Sequence, residues 1–128
     1  MSTFYYITRS YPSHEVTGGS LMRQAQVNFF QKYFPSVIVI MPNYMSKSVV
    51  ERDNVIQIPF SSSHRLSNAL ERVGIYEDYL DPWVRNAYSY LNSKVSKTDI
   101  LFSTCGGELA AIKLGFLLKQ ARNCTHVV

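Results

Sequence analysis

Ser36-Val37-Ile38-Val39-Ile40-Met41-Pro42 is the stretch on which the fold turns. Its five consecutive apolar residues carry no polar alternation, so a strand formed here has both faces covered, as in a parallel sheet. Ser36 and Pro42 bound the run, and its length is far below the about 20 residues that a membrane-crossing helix needs.

Upstream, Thr3 to Thr8 (TFYYIT) is rich in aromatic and β-branched residues and leads into a stretch with Pro12 and Gly18-Gly19. That is a strand entering a loop. From Ser20, a candidate cap, Leu21, Met22, Ala25, Phe29 and Phe30 recur at near-helical spacing as an expected core face. Gln24, Gln26, Asn28 and Lys32 fill much of the other side, and Pro35 lies beyond the helix end.

Downstream, Asn43 to Asn54 reads as a polar connection with room for a short helical turn, and Val55 to Ile58 as a weaker strand. Ser61-Ser62-Ser63 precedes Leu66, Ala69, Leu70 and Val73 at helical spacing, with Gly74 as the stop. Asp81-Pro82 reads as a cap followed by proline at the first helical position, with Val84, Ala87, Tyr88, Leu91 and Val95 as one stripe. Ile100 to Phe102 is a fourth strand running into Ser103 to Gly107. Glu108 to Gln120 is apolar nearly all round and is expected to be a mostly buried helix, before a fifth strand from Thr125 to Val128. This order suits an α/β parallel sheet covered by helices.

With 46% hydrophobic and 17% charged residues, the 128-residue chain has the composition of one folded domain and not of a disordered segment. The formal charge of +4 is dispersed, without a basic block or an RNA-binding motif, so no nucleic-acid partner is expected. The first residues lack a basic region followed by a long apolar stretch, which predicts a cytoplasmic protein without a secretory signal. Cys105 and Cys124 lack CxxC spacing and are expected to be reduced thiols.

In an open parallel sheet, ligands gather beyond the carboxyl ends of the strands. The loops Ser10 to Gly19 and Ser103 to Gly107 both follow strands and precede helices, so they are expected to share one cleft. Glycine allows close backbone approach, and a helix N-terminus offers unpaired N–H groups to an anion, which makes Gly18, Gly19, Gly106 and Gly107 candidate diphosphate contacts. The competing reading is that each pair merely permits a tight turn.

Neither GxGxxG nor GxxxxGK[ST] occurs, which argues against an ordinary dinucleotide site and a P-loop. Arg23, one turn after Gly19, is a candidate for a phosphate or carboxylate, against the commoner reading of a solvated helix residue. Glu108 is a candidate for sugar hydroxyls or proton transfer, against a purely favourable interaction with the helix dipole. Cys105 reads as a small semi-buried thiol rather than a nucleophile, because its motif holds no histidine. His14 is placed in the first loop, His64 at a helix start and His126 in a strand; their spacing suits no metal, and neither metal nor cofactor is expected.

The segments TFYYITRSYPSHEVTGGSLMRQAQVNFFQKY, SVIVIMP and DILFSTCGGELAAIKLGFLLKQARNCTHVV, in this order, resemble the N-terminal domains of GT-B glycosyltransferases of the family 4 or group 1 type. They cover about half of the chain, and the loop before the glycine pair is longer than in that family, with Tyr11, Pro12 and His14. The resemblance implies an α/β, Rossmann-like parallel sheet of about five strands flanked by helices on both faces. It places Gly18 and Gly19 at an interdomain cleft, near the donor diphosphate or the acceptor.

Residues 1–128 would then be the acceptor-side half of an enzyme that moves a sugar from a nucleotide-sugar donor to a carbohydrate or lipid-linked acceptor. The donor-binding C-terminal domain, and catalytic residues with it, would lie past Val128. Polysaccharide or glycolipid biosynthesis is a common setting, and it implies peripheral contact with the inner face of the membrane. The alternatives are a noncatalytic ligand-binding or interaction module, and a fragment of another nucleotide-using α/β enzyme such as an oxidoreductase.

Overall fold

The computed structural model describes residues 2–12, 18–60, 80–104 and 109–128. In chain order its elements are β1 (Phe4–Ile7), α1 (Gly18–Gln31), β2 (Val37–Asn43), β3 (Val50–Arg52), β4 (Val55–Pro59), α2 (Asp81–Leu91), β5 (Ile100–Ser103), α3 (Ala110–Arg122) and β6 (Thr125–Val127). The strands form one six-stranded sheet in the order β3-β4-β2-β1-β5-β6. Every neighbouring pair is parallel except β3 with β4. The fold is therefore α/β with a mostly parallel sheet, and the apolar run that opened the reading is its strand β2.

The sixth strand corrects the reading of Asn43 to Asn54 as a connection with a helical turn. Val50–Arg52 pairs antiparallel with β4, and the two residues between them, Asp53 and Asn54, have φ of 53° and 63°. Two successive positive φ values are what a two-residue type I′ hairpin requires, and Asp and Asn tolerate that region better than other side-chain-bearing residues.

Alternation along the strands divides their side chains into two sets. Tyr5, Ile7, Ile40, Ile56, Ile58 and Leu101 share one buried cluster with Trp83, Val84, Ala87 and Leu91 of α2 and Leu114 and Leu118 of α3. Phe4, Tyr6, Val37, Val39, Met41 and Val55 form the other with Val27 of α1, and Phe30 packs against it. The second cluster is aromatic: the Phe30 ring lies 4.5 Å from Phe4 and 5.2 Å from Phe102, centroid to centroid.

That aromatic floor decides how α1 rolls, and the expected core face is only partly right. Ser20, Arg23 and Val27 are the buried residues of α1, while Leu21, Met22 and Phe29 lie about half exposed or more. Phe30 takes the place over Phe4 and Phe102, and a helix that points Phe30 inward turns Phe29, 100° away, outward.

Two helix starts also differ from the sequence reading. Leu80, not Asp81, occupies the cap position of α2, and Asp81 is its first helical residue. Its carboxylate instead accepts a hydrogen bond from Lys113 Nζ at 3.1 Å. The helix α3 begins at Ala110 and is not mostly buried: Phe116 is 54% exposed and Leu117 is exposed. The helix meets the sheet through Ala110, Ala111, Leu114 and Leu118, a single stripe, and Phe116 and Leu117 lie off that stripe. Asn123, in the left-handed region at φ 55°, ends it, with its N–H on the Lys119 carbonyl.

The helix expected over Leu66 to Val73, and the residues His14, His64, Cys105, Gly106, Gly107 and Glu108, lie outside the described residues. Among the described residues no helix is long and apolar enough to cross a membrane.

Candidate functional site at the carboxyl edge of the sheet

The five parallel strands follow the spatial order β4-β2-β1-β5-β6. The chain builds outward from β1 to β2 and β4, then crosses back to add β5 and β6 on the other side of β1. The order therefore reverses between β1 and β5, the position at which open parallel sheets commonly form a ligand crevice.

The rim of that crevice is tied together by named bonds. Ile7 and Ser103, the last residues of β1 and β5, are register partners. Thr104 N–H donates to the Ile7 carbonyl at 3.0 Å. The Thr104 hydroxyl donates to Thr8 Oγ1 at 3.2 Å, and the Thr8 hydroxyl passes its own proton to the Ser10 carbonyl at 3.1 Å. Tyr44, just past β2, donates its hydroxyl to the Arg9 carbonyl at 2.7 Å. From the α1 side, Arg23 Nη1 donates to Ser10 Oγ at 2.5 Å. The start of the first loop is thus held from β5, β2 and α1 at once.

Both loops leave the same edge of the sheet, as expected. Gly18 and Gly19 open α1 and are exposed. Beside Gly18 there is open space where a Cβ would stand, so no described neighbour demands a glycine there, and its backbone faces solvent. Arg23 is not the solvated helix residue of the commoner reading: it is 8% exposed.

Sequence reasoning passed over Thr8, Ser10, Tyr44 and Thr104, although hydroxyl residues directly after two buried strands were a visible signal. Burial raises the hydroxyl pKa of Tyr11 and that of Tyr6, so both phenols stay protonated. Burial likewise raises that of the Cys124 thiol, which is a free cysteine and not a thiolate.

A second polar group lies between β5, β6 and α3. Ser103 Oγ donates to the Ala111 carbonyl at 2.7 Å and lies 2.8 Å from His126 Nε2. A hydroxyl has one proton, so the imidazole supplies the hydrogen of the second bond and His126 is the Nε2–H tautomer. With its proton committed to a backbone carbonyl and the residue 1% exposed, Ser103 is a structural group and not a nucleophile.

Burial, and then Lys119, lower the His126 pKa below the ordinary value of 6.5. The unfolded chain therefore takes up this proton first as the pH falls. Stability present above pH 6.5 is lost on acidification from there toward the lowered folded value. Urea midpoints at neutral pH and near pH 5.5 are expected to differ more for the parent than for His126→Gln, which keeps a donor toward Ser103 but does not titrate.

A groove of about 810 Å³ runs between α2 and α3 and is lined by Val84, Arg85, Tyr88, Phe116 and the Asp81–Lys113 pair. No residue of the β1 or β5 loops lines it, and its two central charges neutralise each other at 3.1 Å. The convergent rim is the better-built site. Among the described residues no group of three or more His, Cys, Asp or Glu could hold a metal ion. Comparisons with protein-family models, with curated proteins and with solved structures find no match for this chain.

Proposed function

We propose that this chain is the N-terminal, acceptor-side half of a GT-B glycosyltransferase of the family 4 or group 1 type, built on a Rossmann-like sheet covered by helices on both faces. The reaction moves a sugar from a nucleoside diphosphate donor to a carbohydrate or lipid-linked acceptor. One observation carries the reading: Thr8 and Thr104, the first residues after β1 and β5, are joined by a hydroxyl contact at the reversal point of the strand order. The separate clusters formed with α1 and with α2 and α3 support the doubly covered sheet.

In this reading Gly18 and Gly19 let substrate approach the backbone at the start of α1, where the positive end of the helix dipole favours negative charge. These fixed dipoles would stabilise charge that develops on the departing diphosphate without reorganising during the step. The hydroxyl chain from Thr104 to Ser10 keeps that edge in place, so reactants are held in register and not merely collected. Most of the donor belongs to the second domain that the reading implies.

Calorimetric titration of the full-length protein with uridine diphosphate, guanosine diphosphate and NAD tests the reading. Saturable binding of one nucleoside diphosphate and none of NAD is expected. NAD binding without nucleoside diphosphate binding would move the protein to the oxidoreductases and reject the transferase.

A further inference from the structure

Among the described residues, the acid and base inventory around Arg23 does not balance. Its guanidinium carries a fixed charge and five N–H donors, the residue is 8% exposed, and Ser10 Oγ, a neutral oxygen, accepts one of them. No described carboxylate faces it. Glu51 accepts from the Tyr90 hydroxyl, Asp53 stands beside Arg52, Asp81 is held by Lys113, and Asp99 accepts the N–H groups of Thr3 and Ser96. The nearby phenols bring no charge: Tyr6 donates to Gln26 Oε1 at 2.5 Å, and burial keeps Tyr6 and Tyr11 protonated.

The donors also exceed the acceptors. Ser10 Oγ accepts from Arg23, and its carbonyl accepts from Thr8, which leaves the Ser10 hydroxyl proton without a described acceptor. Ser10 is 2% exposed. A buried guanidinium and a buried hydroxyl therefore present hydrogens at one place, in the connection between β1 and the first turn of α1. An uncompensated buried charge is strongly disfavoured, whereas a guanidinium paired with a planar or tetrahedral oxyanion gains two charge-assisted bonds.

We infer that Arg23 and Ser10 form an oxyanion-binding site, in which the guanidinium and the Ser10 hydroxyl donate to a phosphate or carboxylate group entering at the β1–β5 crevice. The inference goes beyond the transferase reading, because it concerns the charge of the ligand and holds for any enzyme or binding module built on this edge. A phosphate group and a sugar carboxylate share the chemistry and differ in the probe that finds them.

The test is nitrogen-15 NMR of the chain, following the Arg23 Nε–Hε resonance during titration with inorganic phosphate, pyrophosphate and glucuronate. A saturable shift with phosphate or pyrophosphate assigns a phosphorylated ligand, and one with glucuronate alone assigns an acidic sugar; either supports the site. Read from the backbone amide resonance of residue 10, which every variant retains, affinity is expected to vanish in Arg23→Gln and to weaken about tenfold or more in Ser10→Ala, which keeps the charge and the backbone bond from Thr8. Arg23→Lys, retaining the charge without the planar fork, should bind more weakly than the parent and separates lost recognition from lost folding.

Two results overturn the inference. One is the absence of a saturable shift with all three probes. The other is a Glu15→Gln or Glu108→Gln variant that moves the resonance in the absence of any probe as far as phosphate moves it in the parent, since the counter-charge would then be internal. Neither result bears on nucleoside diphosphate binding by the full-length protein, so this inference and the proposed function fail separately.

Discussion

A Gly115→Ala chain is expected to unfold at a clearly lower denaturant concentration than the parent, although alanine is the better helix former. A Cβ at Gly115 would stand 2.2 Å from His126 Nε2, 2.6 Å from His126 Cδ2 and 2.7 Å from Ser103 Oγ. Intrinsic propensity favours alanine by about 1 kcal/mol in a helix interior. Overlap of this depth outweighs it. The imidazole must leave its place and the 2.8 Å bond to Ser103, and Ser103 Oγ is itself anchored on the Ala111 carbonyl.

Overpacking of a fitted core costs typically about 1–3 kcal/mol, which is the net loss expected here. Equilibrium urea unfolding measures it directly. Adding His126→Ala should recover part of the loss, so that the two changes are not additive. A Gly115→Ala chain as stable as the parent would mean that α3 does not lie this close to β5 and β6.

The second large effect centres on Trp83, which is fully buried among strand and α2 side chains. Trp83→Ala is expected to cost about 3–5 kcal/mol, the range for emptying a site of that size in a core. Against a domain's usual total of about 5–15 kcal/mol, this leaves a marginal fold. Trp83→Phe should cost far less than its lost volume suggests, because the indole Nε1–H is buried without a hydrogen-bond partner among the described residues. Phenylalanine removes that unsatisfied donor along with part of the ring, and an unpaired buried donor carries a penalty of about 1–3 kcal/mol. Thermal unfolding of the two variants separates packing from polar satisfaction, and equal losses would refute the argument.

The parts of the fold legible in the sequence are those where one physical signal dominates. An unbroken apolar run such as Val37 to Met41 has little choice but a buried strand, and of the stripe Val84, Ala87, Tyr88, Leu91 and Val95 all but the half-buried Tyr88 are buried, Val95 past the helix end at Leu91. The roll of α1 was not legible. Its sequence offers two apolar arcs, and the aromatic floor that selects the arc with Val27 and Phe30 is assembled from β1 and β5, strands far apart in the chain.

The hairpin at β3 escaped for a local reason. Asp53-Asn54 lacks the glycine that marks most type I′ turns, yet adopts the same two positive φ values. At the rim, the glycine pairs drew attention because their chemistry is readable in isolation. The roles of Thr8, Ser10 and Arg23 depend on which loops become neighbours, and spacing along the chain does not carry that information.

The central place of β1 has a consequence for biosynthesis. β1 takes its second neighbour from β5, which is synthesised much later, with Thr8 and Thr104 joined across 96 residues. Until most of the 128 residues have emerged, one side of β1 is an open hydrogen-bonding edge of very apolar character. Pairings between positions so distant in the chain form slowly. The nascent protein is therefore most vulnerable to pairing with its neighbours on the same polysome, and co-translational chaperone capture should matter more for its yield than final stability does.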